Sequence, residues 1–343
     1  MIRHPAPRLA TLAALAAIVA AACQPGASSA PSGEPAELTI YSGRSEALVA
    51  PIIERFETQS GIDVAVKYGD TAELASTILE EGDASPADVF FAQDAGALGA
   101  VDAAGRLAAL PKGALDRVAD ARFRADDGRW VGVSGRARVA VYNTAEFDEA
   151  DMPASIFDFT DASWKGRLGW APTNGSFQAF VTALRLTEGE EAAKAWLEGI
   201  KANEPRVYEG NDPALQAVGA GEVDVAFINH YYLMRRLAEE PQFPAANHFF
   251  SDGDPGALVN IAGAGILTTA PHAEAAADFV EFLLSDDSQR FFADETYEYP
   301  LVAGVEPDEK LVPLAQIESP DIDLSDLSDL EGTLNLLREV GIL

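Results

Sequence analysis

Asn229-His230-Tyr231-Tyr232 follows an apolar run, Val223 to Ile228, that reads as a buried strand. The carboxyl ends of strands in a doubly wound sheet face the ligand crevice. Two adjacent tyrosines at the turn out of such a strand can reach one point, because the turn breaks the alternation of faces. Phenolate is a hard oxygen donor suited to a small, highly charged cation. A free phenol keeps its proton up to a pKa near 10, so a metal must displace it. The same pair could instead pack the edge of the fold or stack on an organic ligand. Thr173-Asn174-Gly175-Ser176-Phe177 is a polar glycine turn ahead of a helix. Its backbone N–H groups and the Ser176 hydroxyl make an anion cradle or an ordinary helix cap. Asn211, in Glu209-Gly210-Asn211-Asp212, sits in a second polar turn. Arg136 and Arg138 offer guanidiniums for a bound anion or for a salt bridge between lobes.

These groups need a scaffold, and the hydrophobic pattern supplies one. Leu38–Ser42, Ile62–Tyr68 and Val89–Ala92 read as strands, separated by helical periodicity over Glu46–Gln59 and Thr71–Glu80. An alanine-rich helix follows to about Ala104. Arg138–Tyr142, Leu168–Ala171 and Val223–Ile228 read as strands of a second unit, with helices over Gln178–Thr187 and Ala192–Ile200. Ile261–Leu267 reads as a strand returning to the first unit, and Ala273–Leu284 and Ser288–Thr296 as closing helices. Alternating strands and helices predict an α/β fold with covered sheets. The expected lobes are 38–135 with 265–343, and 136–264, joined by two crossings near Ser134–Arg138 and Asn260–Ala264. The acid- and leucine-rich tail, Asp321 to Gly341, reads as packing with a solvated face.

The 343 residues, 48% of them apolar, suffice for two such lobes. Twenty-four basic and 55 acidic side chains give 24 − 55 = −31, a surface that repels nucleic acid. Arg3 and Arg8 precede an apolar run, Leu9 to Ala22, which is the pattern of a secretory signal over 1–22. Cys23, the one cysteine, stands where the cut falls and excludes an intrachain disulfide. Residues 24–36, rich in Pro, Gly, Ser and Ala, read as a tether. The sequence has no GxSxG elbow, HExxH helix or GxxxxGK[ST] loop, so neither hydrolase chemistry nor nucleotide hydrolysis is indicated.

Taken in order, several segments resemble the bacterial periplasmic ferric-ion-binding proteins, the transferrin-like branch of the type II solute-binding fold. They are Ile40-Tyr41-Ser42-Gly43-Arg44, Ser85-Pro86-Ala87-Asp88-Val89-Phe90, Trp130 through Val139, Gly169 through Phe177, Asn229-His230-Tyr231-Tyr232 and the leucine tail ending near Gly341. The resemblance implies a two-lobed type II periplasmic-binding-protein fold with a ligand cleft and a two-crossing hinge, and no enzymatic activity. It implies Fe3+ held by Tyr231 and Tyr232 with a synergistic anion, phosphate or carbonate. Asn174, Gly175, Ser176, Asn211 and Arg136 or Arg138 are the implied anion-binding residues. Relatives often carry a histidine where this chain has Ser45 and a glutamate where it has Gln93; Gln93 and the following Asp94 are the implied first-lobe metal candidates. Cys23 resembles a lipobox cysteine, which implies an exported, membrane-anchored lipoprotein on the periplasmic or extracellular face. A monomer that delivers iron to an ABC permease with a separate ATPase subunit is the implied partner scheme. The alternative is a binding protein for an iron chelate or a small organic solute such as a polyamine, thiamine or phosphonate.

Overall fold

Short apolar runs bounded by polar turns become strands, and the amphipathic stretches between them become the helices that cover those strands. The computed structural model describes residues 37–118 and 120–343. The strands are β1 (Glu37–Ser42), β2 (Asp63–Tyr68), β3 (Val89–Ala92), β4 (Trp130–Asn143), β5 (Leu168–Trp170), β6 (Arg206–Val207), β7 (Val225–Asn229), β8 (Ala245–His248), β9 (Val259–Ile266) and β10 (Tyr299–Pro300). The helices are α1 (Glu46–Ser60), α2 (Thr71–Glu81), α3 (Ala95–Ala103), α4 (Lys112–Arg117), α5 (Gly175–Glu188), α6 (Glu190–Ala202), α7 (Asn211–Gly219), α8 (Tyr231–Glu239), α9 (Ala273–Leu283), α10 (Asp286–Asp294) and α11 (Leu330–Val340). The expected signal, Cys23 and the expected tether lie outside the described residues. Among the described residues no helix is long and apolar enough to cross a membrane.

The strand order β2-β1-β3-β9-β4-β7-β5-β6 sets two antiparallel strands, β9 and β4, between two parallel triplets. Each triplet is the sheet of one lobe: β1 to β3 in the first, β5 to β7 in the second. β4 pairs with β9 over Trp130–Ala137 and with β7 over Arg138–Tyr142, so a single strand passes from one sheet into the other. The pattern predicted this strand only from Arg138. Gly132, Ser134 and Gly135 interrupt the apolar run, but pairing to β9 on one side and β10 on the other carries the strand back to Trp130.

Amphipathic periodicity translates directly into packing. Leu48, Val49, Ile52, Ile53 and Phe56 bury one face of α1, and Gly61 ends it in the left-handed conformation with its N–H on the Glu57 carbonyl. The leucine tail also packs as its pattern predicted: Leu324, Leu327 and Leu337 are buried, and α11 lies on α5 and α6. A Thr182–Thr333 hydroxyl contact of 2.7 Å joins the tail to α5.

Gly263 marks the closest backbone approach in the central pairing. A β-carbon there would stand 2.8 Å from the Val131 carbonyl oxygen and 2.7 Å from Leu98 Cδ1. Because one obstacle is backbone, it cannot simply swing aside. Gly263→Ala is expected to cost about 1–3 kcal/mol, measured as a lower urea midpoint with an unchanged slope.

Candidate metal centre

β7 ends at Asn229, His230 makes the turn, and Tyr231 and Tyr232 open α8. The two phenol rings stack with centroids 4.3 Å apart and planes 27° from parallel. Tyr231 is fully buried and Tyr232 half-buried. Both line a cavity of about 250 Å³, together with Arg44, Gln93, Asn174 and Asn211. The Tyr231 hydroxyl is buried with no hydrogen-bond partner among the described residues. Such an orphan costs about 1–3 kcal/mol and asks for a ligand. Burial, then the neighbouring Tyr231, holds the Tyr232 phenol well above its ordinary range.

His230 aims the pair without joining it. Its Nδ1 accepts from the Ala137 N–H at 3.2 Å, which leaves Nε2 to donate to the Tyr297 carbonyl at 2.9 Å. Its ring stacks on Tyr299 at 4.8 Å, and its carbonyl accepts from Asn247 Nδ2. Burial pushes its pKa down to about 4, with the same sign from Arg136. The imidazole is therefore neutral, fully committed, and fixed between the start of α8, β4 and the segment leading into β10.

Three guanidiniums are buried around the tyrosines. Arg44 Nη2 lies 2.7 and 2.8 Å from the two oxygens of Glu298, and both residues are inaccessible to solvent. Arg44 also stands 6.0 Å from the centre of the Tyr231 ring. Arg136 reaches the Ile261 carbonyl at 2.8 Å, with its Nε 4.0 Å from Glu298. Arg138 donates to the Phe227 carbonyl at 2.9 Å and to Asn229 Oδ1 at 3.4 Å. Burial would lower Arg44, but Glu298 and the nearby phenols leave it raised. Arg136 is lowered by burial and by Arg44; Arg138 falls to about 9 through burial and Arg136. Among the described residues Glu298 and Asp94 are the buried carboxylates acting on these three guanidiniums, while Asp70, Glu209 and Asp212 line the cavity.

The polar turn stands at the cavity wall. Asn174 caps α5, its Oδ1 accepting from the Ser176 N–H at 3.1 Å. Ser176 Oγ accepts from Gln93 Nε2 at 2.7 Å and from Asn229 Nδ2 at 3.0 Å, with Arg136 Nη1 at 3.5 Å. Both polar atoms of the buried Asn211 side chain are without partners among the described residues. Neighbouring orphans, a helix start and buried guanidiniums together favour an anion.

Residues 84–323 match the family described as bacterial extracellular solute-binding protein. The chain is 35% identical over 309 residues to the Fe(3+)-binding periplasmic protein of Serratia marcescens, covering 89% of this chain and 90% of that one. It is 35% identical over 311 residues to the major ferric iron-binding protein of Neisseria meningitidis serogroup B, covering 90% and 93%. Iron-bound HitA from Pseudomonas aeruginosa superposes with a TM-score of 0.85 at 38% identity, covering 90% of this chain and all of that one. This chain belongs to the bacterial periplasmic ferric-ion-binding proteins. Members of this family are binding components of ABC transport systems rather than enzymes, and they work outside the cytoplasm beside a permease and an ATPase.

Within this ferric-ion-binding-protein fold, the structure gathers Tyr231, Tyr232, Gln93, Asn174 and Asn211 around one cavity, which Ser45 also lines. Asn211 is the first residue of α7 rather than part of a turn. Asp94 lies elsewhere: its Oδ1 accepts from the Ala97 N–H at 2.8 Å as the cap of α3, and its Oδ2 occupies space that a β-carbon on Gly175 would need. Its burial lifts its pKa to about 6. A one-residue shift from Gln93 is enough to turn it from cavity to helix cap. Arg136 and Arg138 spend donors on backbone carbonyls. Among the described residues no group of three or more His, Cys, Asp or Glu could hold a metal. Sequence reasoning missed Glu298 and the roles of Arg44, Asn229 and His230. The available signal was an acid set between two tyrosines, Tyr297-Glu298-Tyr299; its partner Arg44 is 254 residues away.

Two outcomes follow from these buried groups. Glu298→Gln leaves Arg44 and Arg136 without their carboxylate and is expected to cost about 3–5 kcal/mol, read from urea unfolding at pH 7. His230 binds a proton more readily unfolded than folded, so its stabilisation is present above pH 6.5 and is lost as pH falls toward about 4. The stability of the metal-free wild type relative to His230→Gln is expected to fall by about 2 kcal/mol from pH 7 to pH 5. Asp94 has the opposite sign, but both chains share it and it cancels in the difference.

Proposed function

We propose that this chain captures ferric iron together with a phosphate or carbonate ion and delivers it to an ABC permease. The observation that carries the reading is the stacked Tyr231–Tyr232 pair, one hydroxyl orphaned among the described residues, opening into a cavity that Arg44 lines, with Arg136 and Arg138 buried nearby. Phenolate is the donor a hard trivalent ion prefers, and each phenol gives up its proton as it binds. Burial keeps the Tyr232 phenol protonated until a metal displaces the proton, and the guanidiniums favour the anion that follows. Asn174, Gly175, Ser176 and Asn211 are the residues that would hold that anion, with Arg136 and Arg138 supplying field more than contact. Ser45 and Gln93 offer no carboxylate or imidazole, so iron here relies on the tyrosines, the anion and water, and exchanges readily. The names of the similar proteins from Serratia and Neisseria support iron as the cargo.

The hinge is proposed to divide the chain into 38–135 with 265–343, and 136–264; the passage of β4 between sheets at Ala137 and Arg138 favours those bounds. Lipidation at Cys23 would tether a monomer to the membrane surface, where two or more acyl chains make anchoring stable. Asp70, Glu209 and Asp212 also line the cavity. They favour a second reading, a cationic organic solute such as a polyamine. The buried guanidiniums oppose it.

Aerobic titration with ferric citrate, followed by visible absorbance, tests the iron reading. One iron per chain with a saturable coloured band is expected, and a Tyr231→Phe, Tyr232→Phe double variant is expected to lose the band. A folded, ligand-free wild type that stays colourless would contradict the tyrosine site and favour an intact chelate or an organic solute.

A further inference from the structure

Gln93 does something that a metal ligand would not. It follows β3 in the first lobe, yet its Nε2 donates to Ser176 Oγ at 2.7 Å and lies 3.4 Å from Asn174 Oδ1, both at the start of α5 in the second lobe. Its own backbone N–H is held by Thr71 Oγ1 at 3.2 Å, which in turn donates to the Gly43 carbonyl. The amide thus projects from a fixed base. The surfaces it joins are already in contact: a β-carbon on Gly175 would stand 2.8 Å from Asp94 Oδ2 and 3.3 Å from Thr71 Cβ. A side chain at position 175 would force Asp94 to shift.

The direction of the hydrogen bond matters as much as its length. A serine hydroxyl has one proton to give and two lone pairs to receive with. Gln93 and Asn229 both donate to Ser176 Oγ, and Arg136 approaches from a third side. Among the described residues each hydrogen-bond partner of Ser176 Oγ is a donor, so its own proton is not spent on this network. A carboxylate in place of the Gln93 amide accepts only. It would draw the Ser176 proton to itself and set a negative charge beside the anion turn.

We infer that Gln93 is a positioning residue that latches the two lobes through Ser176 and fixes that hydroxyl as a donor to the bound anion. The anion half of this inference rests on the iron-and-anion function proposed above; the latch half does not. Closure then draws part of its stability from a contact that needs no metal, in a chain whose first lobe brings neither histidine at Ser45 nor glutamate at Gln93. The anion, more than the first lobe, sets how long iron stays.

Two variants of the full chain separate these parts. Gln93→Leu keeps much of the volume and removes the donor; Gln93→Glu keeps the shape and reverses the hydrogen bond. In the metal-free chain, amide exchange over Ser176 to Gln178 is expected to quicken about tenfold in Gln93→Leu, the worth of one buried hydrogen bond. With iron bound, both variants are expected to keep the coloured band. Gln93→Glu is expected to need about tenfold more inorganic phosphate to hold iron against a competing chelator, since it loses one charge-assisted donor to the anion. Wild-type exchange rates in Gln93→Leu would overturn the latch. A wild-type phosphate requirement in Gln93→Glu would overturn the oriented hydroxyl. Loss of the band in either variant would make Gln93 a metal ligand and overturn the proposal. A wild type with no band at all would count against the iron reading, while the exchange experiment would still decide the latch.

Discussion

Arg44, Arg136 and Arg138 are buried near one another, and among the described residues Glu298 is the carboxylate within ion-pair distance of any of them. Like charges in a medium of low effective dielectric repel strongly, and such a cluster persists only where negative charge is nearby or arrives with a ligand. Glu298 supplies the permanent part through its two contacts to Arg44. Of the other two, Arg136 reaches Ser176 Oγ at 3.5 Å, while Arg138 is spent on the Phe227 carbonyl and Asn229. On the proposed function, their charge would favour an anion beside the turn.

That charge would be useless if the tyrosines wandered. His230 prevents it by being neutral: an imidazolium could not accept from the Ala137 N–H while donating to Tyr297. Burial keeps it neutral, and the two bonds tie the first turn of α8 to β4 and to the chain just before β10. β4 is also the strand that passes between the lobes. The tyrosine pair and the arginines on the strand are therefore tied together, while Gln93 and Asp94 approach the turn at Gly175 from the first lobe. Population shift between open and closed forms then depends on contacts made only when closed.

Much of this was legible in the residues. β1, α1, β2, α2 and β3 follow the apolar periodicity closely because each packs one face on a covered sheet. Tyr231, Tyr232 and Asn174 could be placed at junctions by their position after strands, which is a property of chain order. Asp94 could not: side-chain direction changes with every residue past the end of β3, and only the structure reveals that Asp94 turns to cap α3 while Gln93 crosses the cleft. Glu298 was hidden for a different reason, since its meaning is a partner 254 residues away. The early part of β4 was hidden because its glycines and serine are chosen for close approach to β9, β10 and Leu301 rather than for strand propensity.

The central claim is that Tyr231 and Tyr232 bind ferric iron as phenolates. Resonance Raman spectra of the iron-loaded chain, excited within its visible band, test it most directly, with ring-deuterated tyrosine incorporated for comparison. The account predicts enhanced ring vibrations that shift on deuteration and disappear when both tyrosines are phenylalanine. A coloured iron complex whose enhanced bands ignore tyrosine deuteration would contradict it, because the colour would then come from a chelate or from ligands other than these phenols.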